Sequence, residues 1–180
     1  MLPSTPFSEA VDRFIGRIGR AASWIWVALL VVIVVNVTMR YAFGEGRIEF
    51  EEIQWHLYSV GFLLGLSYAY SGDNHIRVDV IHERLSLRHK AWIELYGILL
   101  LLLPFICLIL VFSLPFVYDS YRLSEVSQAP GGLPLRWLIK AALPLGFALL
   151  LLAVAGRLSR VWRCLFGAPD AAAFDDEPTR

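Results

Sequence analysis

Glu52 and His56 stand four residues apart. At helical spacing a carboxylate and an imidazole so placed share one face, with Glu49 and Ser59 on the same side. Such a pair is the start of a metal site, but metal centres recruit three or four protein ligands and nothing nearby completes this one. The stripe reads instead as a polar surface for another protein or for lipid headgroups. His75, His82 and His89 gather in one segment between apolar stretches, so no two histidines are placed to meet a haem iron from either side. No Ser/His/Asp arrangement and no phosphate-binding glycine loop occurs. Cys107 falls in an apolar stretch and Cys164 in a basic one, which argues against a disulfide. The residues therefore point to no catalysis, no cofactor and no metal.

The chain that must position them is unusually apolar. Of its 180 residues 57% are hydrophobic, against about 45–50% in globular proteins. Four charge-poor stretches stand out, 21–39, 53–72, 95–118 and 137–156, the last interrupted only by Lys140, which is close enough to its end to reach the headgroups. Roughly 20 helical residues cross a hydrocarbon core about 30 Å thick. The expected fold is an all-α membrane protein with four transmembrane helices at 21–41, 53–72, 91–118 and 135–156. Loops then occupy 42–52, 73–90 and 119–134, with tails at 1–20 and 157–180. All six tryptophans lie at or near the ends of these spans, as in an interfacial belt.

Orientation follows from the basic residues. One side carries Arg13, Arg17, Arg20, Arg77, Arg84, Arg88, Lys90, Arg157, Arg160, Arg163 and Arg180; the other carries Arg40, Arg47, Arg122, Arg136 and Lys140. The richer side faces the cytoplasm, so both termini are expected inside. The net charge is zero, which gives no general attraction to nucleic acid. The first stretch exceeds a signal-peptide core and no small-residue cleavage site follows it, so it reads as a retained helix.

Finer features add further expectations. Phe7, Val11, Phe14, Ile15 and Ile18 recur at helical spacing beside arginines, as in a segment lying on the inner leaflet. Val78, Val80, Ile81 and Leu85 suggest a second short interfacial helix, and residues 168–180 read as a disordered tail. Pro104 and Pro144 should bend their helices. Gly61, Gly65 and Ala69 form a small-residue side on the second span, about 180° around the helix from Glu52, where another helix can approach closely. Arg40 closes one apolar stretch and Glu51 and Glu52 open the next, so a partly buried ion pair is expected there, Arg40 with Glu52 within the chain or either with a partner. No internal repeat is visible, and transporters that work alone are commonly built from related halves around a midplane site. The chain therefore reads as an accessory subunit.

Several short motifs, taken in order, resemble a known family. They are Asn36-Val37-Thr38-Met39-Arg40-Tyr41, the Glu51-Glu52 pair with Gly65 beyond it, Asn74-His75-Ile76-Arg77-Val78-Asp79, and Leu143-Pro144-Leu145-Gly146-Phe147. Together they resemble the small DctQ-type membrane subunit of tripartite ATP-independent periplasmic (TRAP) transporters, over residues 12 to 166. The 123–134 loop and the acidic tail are longer than in the plainest members. The resemblance implies a multi-pass protein of the bacterial inner membrane that buttresses a large DctM-type permease. That permease carries the substrate and sodium sites and moves as an elevator. A periplasmic binding protein delivers an organic acid to it. Arg40, Glu51, Glu52, His56, Gly61, Gly65, His75 and Asp79 are the candidate subunit-interface residues, with membrane lipid as the other partner. The competing reading is a four-helix anchor or scaffold in another complex, such as a haem-carrying redox subunit.

Overall fold

A computed structural model describes residues 3–72 and 86–167. His75, Asp79 and the short interfacial helix expected around Val78–Leu85 lie outside these residues, as does the 168–180 tail. The described chain is helical and has no strand.

Helix α1 spans Pro6–Ala42. Its start is fixed by a reciprocal cap: the Ser8 N–H donates to Thr5 Oγ1 and the Thr5 N–H donates to Ser8 Oγ, both at 3.0 Å, with Pro6 supplying the fixed φ of the first turn. At about 1.5 Å per residue α1 is roughly 55 Å long, well beyond a hydrocarbon core. Residues 6–20, expected to lie on the inner leaflet, thus continue the first span as one rod. Their apolar positions divide. Val11 and Ile15 are buried against Ala153, while Phe7 and Phe14 face outward. The far end closes at Gly44, whose φ of +70° suits a residue without Cβ, and the Glu45 N–H returns to the Met39 carbonyl at 3.1 Å.

Helix α2, Ile48–Ser71, runs back along α1, and five contacts fix the register. Arg40 meets Glu51 at the end of the bundle that the basic residues would place outward, its outer end. Further in, Trp26 and Tyr58 pack edge to face at 5.9 Å and Gly61 abuts Ile25 and Trp26. Gly19 lies beneath the Tyr68 ring, where a Cβ would fall 2.2 Å from a ring carbon. At the inner end the Ser71 hydroxyl donates to Asp12 at 2.5 Å. Trp26 therefore sits at the level of Gly61, midway along α2. That ring packs helix on helix, whereas its sequence position had suggested an interfacial one.

The third rod is built from α3, Leu87–Gly97, a π-helical turn, Ile98–Leu102, and α4, Leu103–Arg122. The wide turn has a cause in the sequence. Pro104 has no N–H for the Leu100 carbonyl, and the Leu103 N–H reaches back five residues to Ile98, so the distortion sits just ahead of the proline.

Helix α5, Arg136–Phe166, is central and touches every other helix. Ile98, Ile106, Phe147, Leu150 and Val154 form the main core where it meets the third rod. Gly146 brings it against α2, where an added Cβ would lie 2.9 Å from Leu63 Cβ.

Among the described residues three stretches are long and apolar enough to cross a membrane: Pro6–Ala42, Arg88–Arg122 and Arg136–Phe166. Helix α2 is not among them, because Gln54, His56, Ser59 and its tyrosines dilute its apolar run. Along the third rod Leu100, Leu101, Leu108, Val111, Phe112 and Leu114 are exposed, a continuous apolar face that suits lipid and not water. The protein is an all-helical membrane protein.

Candidate functional site

Polar structure gathers at the two ends of the bundle, and each end ties together helices distant in sequence.

At the outer end the organising group is Glu52. One carboxylate oxygen accepts the Ser127 hydroxyl and the other accepts the Leu133 main-chain N–H at 2.6 Å. Both partners lie in the loop between α4 and α5. That loop folds upon itself: the Ser127 N–H donates to the Leu133 carbonyl at 3.2 Å and the Gly132 N–H to the Ala129 carbonyl at 2.9 Å. Gly131 has φ +79°, and a Cβ on Gly132 would strike Ser127 at 2.4 Å. The two glycines are what let so short a turn close over a carboxylate. Glu52 precedes the apolar part of α2, and the Ser127 hydrogen bond, then the Leu133 N–H, hold its pKa below the usual 4.5.

The same loop is fastened on its other side by Glu125, which accepts Lys140 and lies 3.9 Å from Arg136. The Lys140 hydrogen bond is the main reason its carboxyl also sits below 4.5. Lys140 in addition stands over the Phe116 ring at 4.1 Å, a cation–π contact. The lone cation of the fourth apolar stretch thus has two partners of its own chain, where the sequence suggested the headgroups.

Arg40 pairs with Glu51 and not with Glu52. Adjacent helical residues point about 100° apart, so the two glutamates serve different neighbours: Glu51 faces α1 and Glu52 faces the loop. Both members of the Arg40–Glu51 pair are about half exposed, at 50% and 44%. His56 turns its Nδ1 onto the main-chain carbonyl of Glu52 one turn back. Among the described residues no group of three His, Cys, Asp or Glu could hold a metal. Gly61 is occupied by α1, whereas a Cβ on Gly65 would meet nothing within 4 Å.

The inner end went unread in the sequence. Arg160 pairs with Asp12, which also accepts Ser71, so α1, α2 and α5 meet at one carboxylate. Arg157 grips Glu94 of α3 with two nitrogens, and both side chains are largely buried, at 12% and 21% exposed. Thr5 and Ser159 share a hydrogen bond at 2.8 Å, and Arg163 donates to the Ser4 carbonyl at 2.7 Å. Arg157, Arg160 and Arg163 recur every three residues, and in the sequence they bear only on orientation. The available signal was the scarcity of acids beside them, Asp12 within a basic segment and Glu94 at the mouth of an apolar one.

Ion pairs and hydrogen bonds at both ends, with apolar packing between, make a braced rod bundle. The family model described as "Tripartite ATP-independent periplasmic transporters, DctQ component" matches residues 29–164, which is well over half of the chain. No curated protein matches it.

Proposed function

The chain belongs to the DctQ family and is a small TRAP transporter subunit; from that premise we propose that it is the static brace of a sodium-driven, binding-protein-dependent importer of an organic acid. In this reading it sits in the bacterial inner membrane with both termini in the cytoplasm. It holds the stationary part of a large DctM-type permease, whose moving part carries substrate and sodium. A periplasmic binding protein supplies the substrate.

The observation that carries the reading is the bracing of both ends, with Glu52 securing the outer loop and the Asp12–Arg160 and Glu94–Arg157 pairs fixing the inner end. A part with these ties is suited to resisting motion. Helix α2 crosses with the others in this account, since it parallels α1 from Glu51 to Ser71. Of the candidate interface residues, Arg40, Glu51 and Gly65 have surface to offer the permease, whereas Glu52 and Gly61 already bind their own chain.

Affinity purification of the tagged chain from its native membrane tests the assignment. A stoichiometric large multi-span permease is the expected companion, and recovery of a haem protein complex instead would favour the redox-anchor reading. Orientation is tested by cysteine labelling. A cysteine at Gly46 should react in intact spheroplasts and one at Ser86 only after the membrane is opened; the reverse would contradict the topology.

A further inference from the structure

A cleft of about 370 Å³ opens between the outer ends of α2 and α5, lined by Glu52, Trp55, His56, Ser59, Ser127, Leu133, Arg136 and Ile139. Its polar groups divide in an informative way. The one carboxylate, Glu52, already has both oxygens engaged by Ser127 and Leu133. The groups that remain without a hydrogen-bond partner among the described residues are mostly donors. They are the Trp55 indole N–H, the Ser59 hydroxyl and the guanidinium of Arg136, which has a long ion pair with Glu125 at 3.9 Å but no hydrogen bond. His56 spends its Nδ1–H on the Glu52 carbonyl.

A cleft with engaged acceptors and open donors favours an anionic oxygen group. Arginine offers a planar fork that matches phosphate oxygens, and the indole and hydroxyl can share the remaining ones. The apolar part of the lining narrows the source. Leu133 and Ile139 provide aliphatic wall, and Trp55 is 73% exposed at the mouth, beside the start of the apolar stretch of α2. A free anion has no use for these surfaces, whereas the glycerol and first acyl carbons of a lipid do.

We infer that this cleft is a binding site for the phosphodiester headgroup of a membrane phospholipid, with Arg136 as the principal phosphate ligand and Trp55 and Ser59 completing the contacts. The inference rests on the proposed topology, in which this end lies at the outer interface, and is tested apart from transport.

Native mass spectrometry of the delipidated full chain in detergent, titrated with phosphatidylglycerol, gives the readout. One lipid per chain should be retained, and diacylglycerol, which lacks the phosphate, should not compete. Arg136→Gln should weaken retention about tenfold, the worth of one charge-assisted hydrogen bond, and Arg136→Lys should restore part of it. Ser59→Ala, which leaves the loop contacts alone, should weaken it roughly threefold. Arg47→Gln, at an exposed arginine that does not line the cleft, should retain lipid as the native chain does. Equal retention in the native chain, Arg136→Gln and Ser59→Ala would overturn the site. Displacement of the lipid by equimolar inorganic phosphate or glycerol 3-phosphate would overturn the lipid as the ligand and assign a soluble anion. Equal competition by diacylglycerol would reduce the cleft to an apolar contact and overturn the phosphate role.

Discussion

The Glu52 carboxylate accepts the main-chain N–H of Leu133 at 2.6 Å across 81 residues of chain. With the Ser127 hydroxyl on its other oxygen, one side chain sets the position of the whole α4–α5 connection. Glu52→Ala leaves both donors without that acceptor and should free the loop. Trypsin added to spheroplasts should then cut after Arg122 or Arg136 several-fold faster than in the native chain, because local opening governs such cleavage. An unchanged cleavage rate would show that Glu52 does not hold the loop.

The same contact sets a pH dependence. Glu52 and Glu125 both have folded pKa values below 4.5, so each binds protons more weakly folded than unfolded. Their contribution is complete above the unfolded value and is lost as pH falls through the folded one. The loop should be equally protected at pH 7 and pH 5, and should open only below about 4.5. Glu52→Gln should remove part of that acid transition. A transition centred near neutral pH would contradict the assignment.

The rods were legible in the sequence because long uncharged runs have few alternatives to membrane helices, and where Pro104 was expected to bend its helix the structure has a π-helical turn just ahead of it. Helical periodicity placed Glu52 opposite Gly61, and the structure sends one to the loop and the other to α1. Periodicity assigns a face but not the neighbour on it. That is why Glu51 rather than Glu52 turned out to be the partner of Arg40, and why the Asp12–Arg160 pair, 148 residues apart, was invisible. Helix α2 illustrates the other limit. Its polar residues make it poorer in apolar content than a lone span, and it can stand in the bundle because α1 and α5 cover much of it.

The two small-residue positions facing different neighbours should separate when substituted. A Cβ at Gly146 would fall 2.9 Å from Leu63 Cβ and 3.0 Å from its carbonyl oxygen, so Gly146→Ala should destabilise the isolated chain by about 1–3 kcal/mol. Gly65→Ala meets nothing within 4 Å and should stay within about 0.5 kcal/mol of native. Gly65→Leu should instead reduce co-purification of the large subunit. Detergent-denaturation curves and pull-downs check both halves, and equal destabilisation by the two alanines would contradict the helix packing.

At the outer turn the Arg40–Glu51 pair is exposed enough that breaking it should cost the chain only about 0–1 kcal/mol. The diagnostic is therefore specificity. Arg40→Glu combined with Glu51→Arg should recover more assembly than either single change, while Arg40→Glu combined with Glu52→Arg should be worse than its parts, because it also releases the loop. Better rescue through Glu52 would reverse the assignment of the two glutamates.

The central claim is that this chain braces a transporter and transports nothing by itself, and uptake by reconstituted proteoliposomes under an inward sodium gradient tests it most directly. Vesicles holding this chain alone should accumulate no organic acid even with the binding protein present. Vesicles holding both membrane subunits should accumulate the substrate once the binding protein and sodium are supplied. Sodium-dependent uptake by the isolated chain, or undiminished uptake by the large subunit without it, would contradict the account.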